Sequence, residues 1–247
     1  MSAAQSPQVT EQALKDQAWW ERYFAEGGDW ERNGGRQQTR IFAEHFVVRA
    51  ALGRDRPFTL LDAGCALGDA LAVFGKAWPQ AQLSGIDFSA VAIARARQSL
   101  PPSAQLRCGD LDTISGHYDA IFCSNTLEHF ADFEARAARL LAHCRQLFVM
   151  VPFRELKHGR LLQHDPAEHH QHTFDRDSFD GLIRSGLAAR IEAQVFACPG
   201  AWGWSRPQHL VQFAKNLARV AVGRPWLRPP LQVLYTITAA RSELLGV

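Results

Sequence analysis

The stretch LLDAGCALGDAL, residues 60–71, constrains the fold more tightly than any other part of the chain. An apolar run ends at Asp62, turns through Gly64 and Gly68, and opens onto a helical pattern. Glycine at such a turn lets the backbone come close to a ligand, and the first turn of the helix offers unpaired N–H groups. Ligands of open α/β sheets bind at the carboxyl ends of the strands. A strand, a glycine turn and a helix in that order therefore predict a sheet and mark its binding edge.

The rest of the chain repeats the alternation. Strands are expected at 57–64, 81–87, 104–110, 118–125 and 145–153, and helices at 68–78, 89–100 and 133–144. The run RQLFVMVPF (145–153) is nearly all apolar, as a buried parallel strand requires. This pattern implies helices on both faces of a mostly parallel sheet. Beyond it come a polar, histidine-rich connection (154–175), a helix at 177–186 and strands near 189–197 and 231–240. The last two suggest an antiparallel pair closing the sheet. Before it, helices are expected at 11–26 and from about 36, separated by a glycine-rich loop at 27–35, with residues 1–10 frayed. The expected architecture is α/β: a Rossmann-like, doubly wound, mostly parallel seven-stranded sheet with a C-terminal antiparallel strand pair and an N-terminal helical lid. Residues 1–56 form the lid or cap, and 57–247 the ligand-binding domain, with an insertion at about 200–230.

Spacing at the glycine turn helps select the ligand. A dinucleotide fingerprint reads G-x-G-x-x-G. Counting from Gly64, Ala66 takes the second glycine position and Asp69 the third. An acidic group suits a helix N-terminus but is a poor neighbour for a pyrophosphate, so a cationic, phosphate-free cofactor fits better. GIDFS (85–89) puts Asp87 at the end of the second strand, where a carboxylate can accept both hydroxyls of a ribose. GDLDTI (109–114) puts Asp110 at the end of the third, and SNTLEHF (124–130) follows the fourth. Any one such turn is more often only a turn; four in succession at strand ends agree across levels.

Residues 58–153 resemble the class I S-adenosylmethionine (SAM)-dependent methyltransferases. LDAGCALGD is similar to that family's first motif, GIDFS to its acidic-loop motif, GDLDTI to its adenine-side motif and YDAIFCSNTLEHF to its fourth-strand motif. The resemblance implies Asp62, Gly64, Ala66 and Gly68 around the methionine moiety, Asp87 and Phe88 at the ribose, Asp110 and Leu111 at the adenine, and Asn125 beside the cofactor. Ala66 departs from the family's usual glycine and leaves less room over the loop. SAM would be the cofactor and S-adenosylhomocysteine the product.

Methyl transfer from a sulfonium is an in-line displacement in which positioning supplies much of the rate. A hydroxyl nucleophile also gains from a base near neutral pH, commonly histidine. Glu128 and His129 follow the fourth strand, and HDPAEHHQHTF (164–174) follows the fifth with His164, His169, His170 and His172. Glu128, His129, His170 and His172 are the candidate catalytic residues; the plainer reading is that Glu128 and His129 only start a helix and His170 is structural. N-x-x-E-H with a distant histidine also looks like the E-x-x-E-H…H arrangement of some metal-dependent O-methyltransferases. Asn125 stands for the first glutamate and removes a hard anionic ligand, so no metal is expected. Arg36, Gln37, Gln38 and Arg40 are candidates to reach the SAM carboxylate or the acceptor from the lid.

The expected activity is methyl transfer to a sugar, glycan precursor or other small molecule, on oxygen rather than nitrogen or carbon. The rivals are a SAM-binding regulator or partner subunit without catalysis, and an NAD-dependent oxidoreductase, which the failed fingerprint opposes. A net charge of +2 in 247 residues gives no reason to expect nucleic acid. Residues 207–222 read as a basic amphipathic helix, and Trp202, Trp204, Trp226, Arg206, Arg224 and Arg228 lie around it. Peripheral contact with an anionic membrane through 202–228 is one expectation and a packed helix with a solvated basic face the other. The N-terminus lacks a signal-peptide apolar stretch. The five scattered cysteines read as reduced thiols. Both point to a cytoplasmic location.

Overall fold

The computed structural model describes residues 11–27, 29–32, 34–50, 52, 56–157, 160–161, 170–197, 207–223 and 231–240. His164, His169, Cys198, Trp202, Trp204, Arg206, Arg224, Trp226 and Arg228 lie outside them, as does the expected fraying of residues 1–10. Helices α1 (Glu11–Ala25), α2 (Asp29–Arg32) and α3 (Gly35–Arg49) precede the sheet. There follow β1 (Thr59–Ala63), α4 (Asp69–Ala77), β2 (Gln82–Asp87), α5 (Ala90–Ser99), β3 (Gln105–Cys108), β4 (Tyr118–Ser124), α6 (Phe133–Leu141) and β5 (Cys144–Pro152). A short hairpin, β6 (Leu156–Lys157) with β7 (Arg160–Leu161), leads to α7 (Asp180–Arg184), β8 (Ala188–Ala197), α8 (Pro207–Ala221) and β9 (Leu231–Ala239).

The seven-stranded sheet has the order β3-β2-β1-β4-β5-β9-β8. Strands β1 to β5 pair in parallel, and β9 is antiparallel to both β5 and β8. Two successive reversals make β8 run with β5. The expected antiparallel pair is present, and β9 alone opposes the other strands, inserted between β5 and β8. The order reverses between β1 and β4, where a doubly wound sheet opens its binding crevice.

Alternate side chains serve opposite faces, as the period of a strand demands. Leu60, Phe122, Phe148 and Leu234 pack with Phe42, Phe46, Leu71 and Phe74 of α3 and α4. Leu61, Ile121, Leu147 and Ile237 pack with Leu140, Phe179 and Leu182 of α6 and α7 and their approaches. Phe46 is fully buried, stacked on Phe122 at 4.5 Å between centroids and edge-on to Phe148 at 4.8 Å. Truncating such a ring costs about 3–5 kcal/mol. Helix α3 is thereby part of the domain core.

Three local expectations change. The loop expected at 27–35 contains α2, where Glu31 pairs with Arg95 of α5 at 2.8 Å. The connection at 154–175 contains the β6–β7 hairpin. Helix α7 begins at Asp180, not 177, because Asp175 holds a turn through Asp177 N–H (3.0 Å) and Ser178. Cys65, Cys123 and Cys144 are buried free thiols, and Cys108 is an exposed one. Among the described residues no helix is long and apolar enough to cross a membrane. Helix α8 exposes Leu217 and Val220 alongside Lys215.

Candidate active site

The turn after β1 is built as its glycines require. Gly64 has φ +84° and Gly68 φ +76°. A Cβ on Gly64 would lie 2.4 Å from Thr126 Oγ1, so the β1 turn is packed directly against the turn after β4. Gly64 N–H and Cys65 N–H both donate to the Ile86 carbonyl. Among the described residues, three non-glycine residues take positive φ: Ala66, Asn125 and Arg154. They follow β1, β4 and β5, on the same edge of the sheet. Backbone strain of this kind concentrates at functional sites.

Asp87 is anchored beside that turn. Its Oδ2 accepts from Ala66 N–H and its Oδ1 from Ser89 N–H, both at 2.9 Å. Each oxygen keeps a further acceptor position, which suits a pair of hydroxyls. Burial pushes the carboxyl up to about 6 against those two N–H bonds, and nearby Glu21 adds to the rise. Asp62, 3% exposed, is pushed up to about 8, first by burial and then by Asp87. A cationic ligand group laid against this pair would reverse both effects. Phe88 is half-buried, its carbonyl accepting from Cys108 Sγ at 3.5 Å. Asp110 is half exposed, accepts from Asp112 N–H at 3.0 Å and lies 3.4 Å from Arg136, with Leu111 buried beside it. Asp110 thus caps the turn Leu111–Thr113.

Asp69 departs from the simple electrostatic reading. It is buried, but Arg36 Nε reaches its Oδ2 at 2.8 Å and Arg40 Nη2 its Oδ1 at 2.7 Å. The acidic charge expected to repel a pyrophosphate is thus neutralised. The two arginines expected to reach out for a ligand are committed to it, and Gln37 and Gln38 are half-buried on the same helix.

After β4, Leu127–His129 form a single 3-10 turn rather than the start of a longer helix. Glu128 is fully buried; the backbone N–H groups of Glu128 and Thr126 lean toward its carboxylate, but neither oxygen has a well-formed hydrogen bond among the described residues. Burial pushes it up to about 8, opposed by His170. His170 Nδ1 lies 2.9 Å from both oxygens of Glu155. The His129 and His170 rings are 5.2 Å apart, and Trp20 of α1 packs edge-on to His129 at 5.9 Å. One ligating atom from each of Glu128, His129 and His170 falls within 4.8 Å of the others. No metal set was expected, because of Asn125; the trio gathered here does not include that position. His172 is separate: its Nε2 lies 3.0 Å from the Ala131 carbonyl and its ring packs on Phe133. The histidine loop is tied to the turn through Gln171 N–H to the Glu128 carbonyl at 2.7 Å.

Residue patterns gave no sign of Glu155 or Glu21, whereas Trp20 belongs to the N-terminal helical segment expected as a lid. Glu21 Oε2 accepts from Ser89 Oγ at 2.8 Å, and its Oε1 accepts from Ala90 N–H at 2.8 Å, capping α5 from α1. All three meet the site across long sequence separations. A groove of ≈ 160 Å³ lined by Arg49, Gln146, Arg190 and Thr238 lies toward the opposite end of β5. It is smaller than ordinary ligand pockets and is remote from this edge.

A methyltransferase-domain family model matches residues 35–185, more than half of the chain. The chain is 31% identical over 146 residues to the trans-aconitate 2-methyltransferase of Deinococcus radiodurans, covering 56% of this chain and 53% of that one. It is 32% identical over 113 residues to the Azoarcus sp. trans-aconitate 2-methyltransferase, covering 44% and 42%. It thus spans about half the length of the curated relatives it matches. Among solved structures, it is similar to the plantazolicin methyltransferase BpumL in complex with a triazolic substrate analogue and S-adenosylhomocysteine. That match has a TM-score of 0.56 and 20% identity over 92% of this chain and 97% of that one. It is also similar to the magnesium protoporphyrin IX methyltransferase of Synechocystis PCC 6803 with bound SAM, with a TM-score of 0.53 and 18% identity over 96% and 100%. With its strand order and β1 turn, the chain belongs to the methyltransferase-domain family and has the class I Rossmann-like fold.

Proposed function

We propose that the protein transfers the methyl group of SAM to an oxygen of a small-molecule acceptor. The observation that carries this is the Asp62–Asp87 pair beside the Gly64 turn. Two buried carboxyls with raised pKa values sit where the strand order reverses, fitted to a ligand that brings positive charge and a ribose diol. SAM brings both in one short molecule; in NAD a pyrophosphate separates the adenosine ribose from the cationic ring and would have to pass the β1 turn, where Ala66 stands at the second glycine position of the dinucleotide fingerprint. In this reading Asp62, Gly64, Ala66 and Gly68 surround the methionine end, Asp87 and Phe88 the ribose, and Asp110 and Leu111 the adenine, with Asn125 beside the cofactor. SAM itself supplies the electrophilic methyl group.

The chain's own contribution is placement. Glu128, His129 and His170 form the acceptor side, with Trp20 as an apolar wall. Glu155 at His170 Nδ1 orients the imidazole ring. A carboxylate acceptor, suggested by the named substrate of the curated relatives, arrives already deprotonated and needs only to be held in line. A hydroxyl acceptor gives its proton to the imidazoles. Helix α1 acts as a cap: Glu21 holds it on α5, and Trp20 rests by His129.

Calorimetric titration with SAM, S-adenosylhomocysteine and NAD tests the reading. Binding of the first two and not of NAD is expected, followed by S-adenosylhomocysteine release with small carboxylic acids, beginning with trans-aconitate. Preference for NAD, or no binding of SAM, overturns it. SAM binding without turnover across the acceptor panel would favour a regulator.

A further inference from the structure

We propose that Glu128, His129 and His170 form a binding site for one divalent transition-metal ion, of the zinc or iron(II) kind. This goes beyond methyl transfer: it gives the imidazoles to an ion in place of the proton-accepting role above, and the SAM-binding reading does not depend on it. Three observations converge. The ligating atoms lie within 4.8 Å of one another. Donors around a common zinc ion, with bonds of about 2 Å, lie roughly 3–4 Å apart, so small side-chain rotations close the set. Glu128 is fully buried and neither of its oxygens has a well-formed hydrogen bond among the described residues. A buried carboxylate left so is costly, and a cation at the centre of the trio satisfies it. Finally, His170 Nδ1 is held at 2.9 Å by both oxygens of Glu155. Metal-ligating histidines are oriented in this way by an outer carboxylate.

The backbone supports the set. Gln171 N–H bonds the Glu128 carbonyl at 2.7 Å, so the loops carrying the ligands are joined next to the site itself. Two imidazoles and one carboxylate select zinc or iron(II) over magnesium or calcium, which prefer all-oxygen shells. Three protein ligands leave coordination open. With neutral imidazoles, the Glu128 carboxylate and the outer Glu155 carboxylate together balance a doubly charged ion. Its open position suits an oxygen ligand.

The test uses the full chain, stripped with a chelator and titrated with zinc against a chromophoric competitor, without SAM. One equivalent is expected to bind. Affinity should fall about 100-fold or more in His170→Ala and about 10–100-fold in Glu155→Gln, and hold in His172→Ala. A wild-type protein that binds no zinc, or a His170→Ala variant that binds as well as wild type, overturns the site. Cobalt-loaded wild type gives a reading independent of any variant's folding. Paramagnetically shifted proton resonances from two imidazoles are expected, and fewer than two overturn the assignment. Because no cofactor is present, failure here leaves the methyl-transfer reading untouched, and failure to bind SAM leaves this one untouched.

Discussion

The two halves of the sheet's binding edge are built on different plans. At β1 and β2 the polar groups are tied to nearby backbone: Asp87 accepts from Ala66 and Ser89, and Gly64 and Cys65 donate to Ile86. At β4 and β5 the polar groups face one another across long loops, and among the described residues Glu128 has no well-formed hydrogen bond. The first half is rigid before any ligand arrives; the second leaves its polarity unsatisfied. A site that holds one constant cofactor and one reacting partner needs both kinds of construction.

The largest effect should come from breaking the rigid half. Gly64→Ala puts a Cβ 2.4 Å from Thr126 Oγ1 at φ +84°. Left-handed strain and overpacking together cost about 3 kcal/mol, or a fall in Tm of about 6–12 °C, read by thermal unfolding. Thr126→Ala in the same chain should recover the overpacking share and not the strain. No recovery would mean that the two turns are not packed together.

Next comes Asp87→Asn, which keeps one acceptor oxygen and removes the charge. A hydrogen bond to a charged group contributes about 1.5–3 kcal/mol, so SAM affinity should drop about 10–100-fold in calorimetry. An unchanged affinity would break the assignment of Asp87 to the ribose and would move the cofactor elsewhere on the edge.

The rigid half was legible because its logic is local. Gly64, Gly68, Asp87 and the strand ends lie within about thirty residues, and each occupies a position that its backbone geometry dictates. The core was legible for the same reason: alternating Leu60, Leu61 and Ile121, Phe122 announce two covered faces. The acceptor half was only partly legible. Glu128, His129 and His170 stood out as residue types, but nothing local tells that Glu155 grips His170 or that His172 turns to Ala131. The pairing of Asp69 with Arg36 and Arg40 spans 33 and 29 positions. Such ion pairs depend on how α3 docks, which follows from Phe42 and Phe46 packing and not from any motif.

The pH dependence of stability addresses both halves at once. Asp62, Asp87 and Glu128 are all raised, to about 8, 6 and 8. Each binds its proton more tightly folded than unfolded. The stabilisation is complete below about pH 4 and is lost as pH rises to about 8. His45, lowered mainly by burial, acts in the opposite sense near neutrality. With chelator present, Tm should therefore fall steadily between about pH 5.5 and 8.5. SAM binding at neutral pH should release protons, seen as a buffer-dependent binding enthalpy. A flat Tm profile would mean that water reaches these carboxyls and that the two halves differ less than the geometry indicates.

The smallest effect tests whether the arginines belong to the rigid half. Arg40→Ala removes one partner of Asp69, but Arg36 still holds both oxygens, at 2.8 and 3.2 Å. Arg40 is also 46% exposed, so its pair is screened by solvent. The loss in unfolding free energy should stay under about 1 kcal/mol. Removing Arg36 and Arg40 together leaves a buried carboxylate unpaired, and the combined loss should far exceed the sum of the single ones. If Arg40→Ala instead weakens SAM binding while leaving stability unchanged, the arginine serves the ligand and not Asp69. The lid would then belong with the unsatisfied half of the edge.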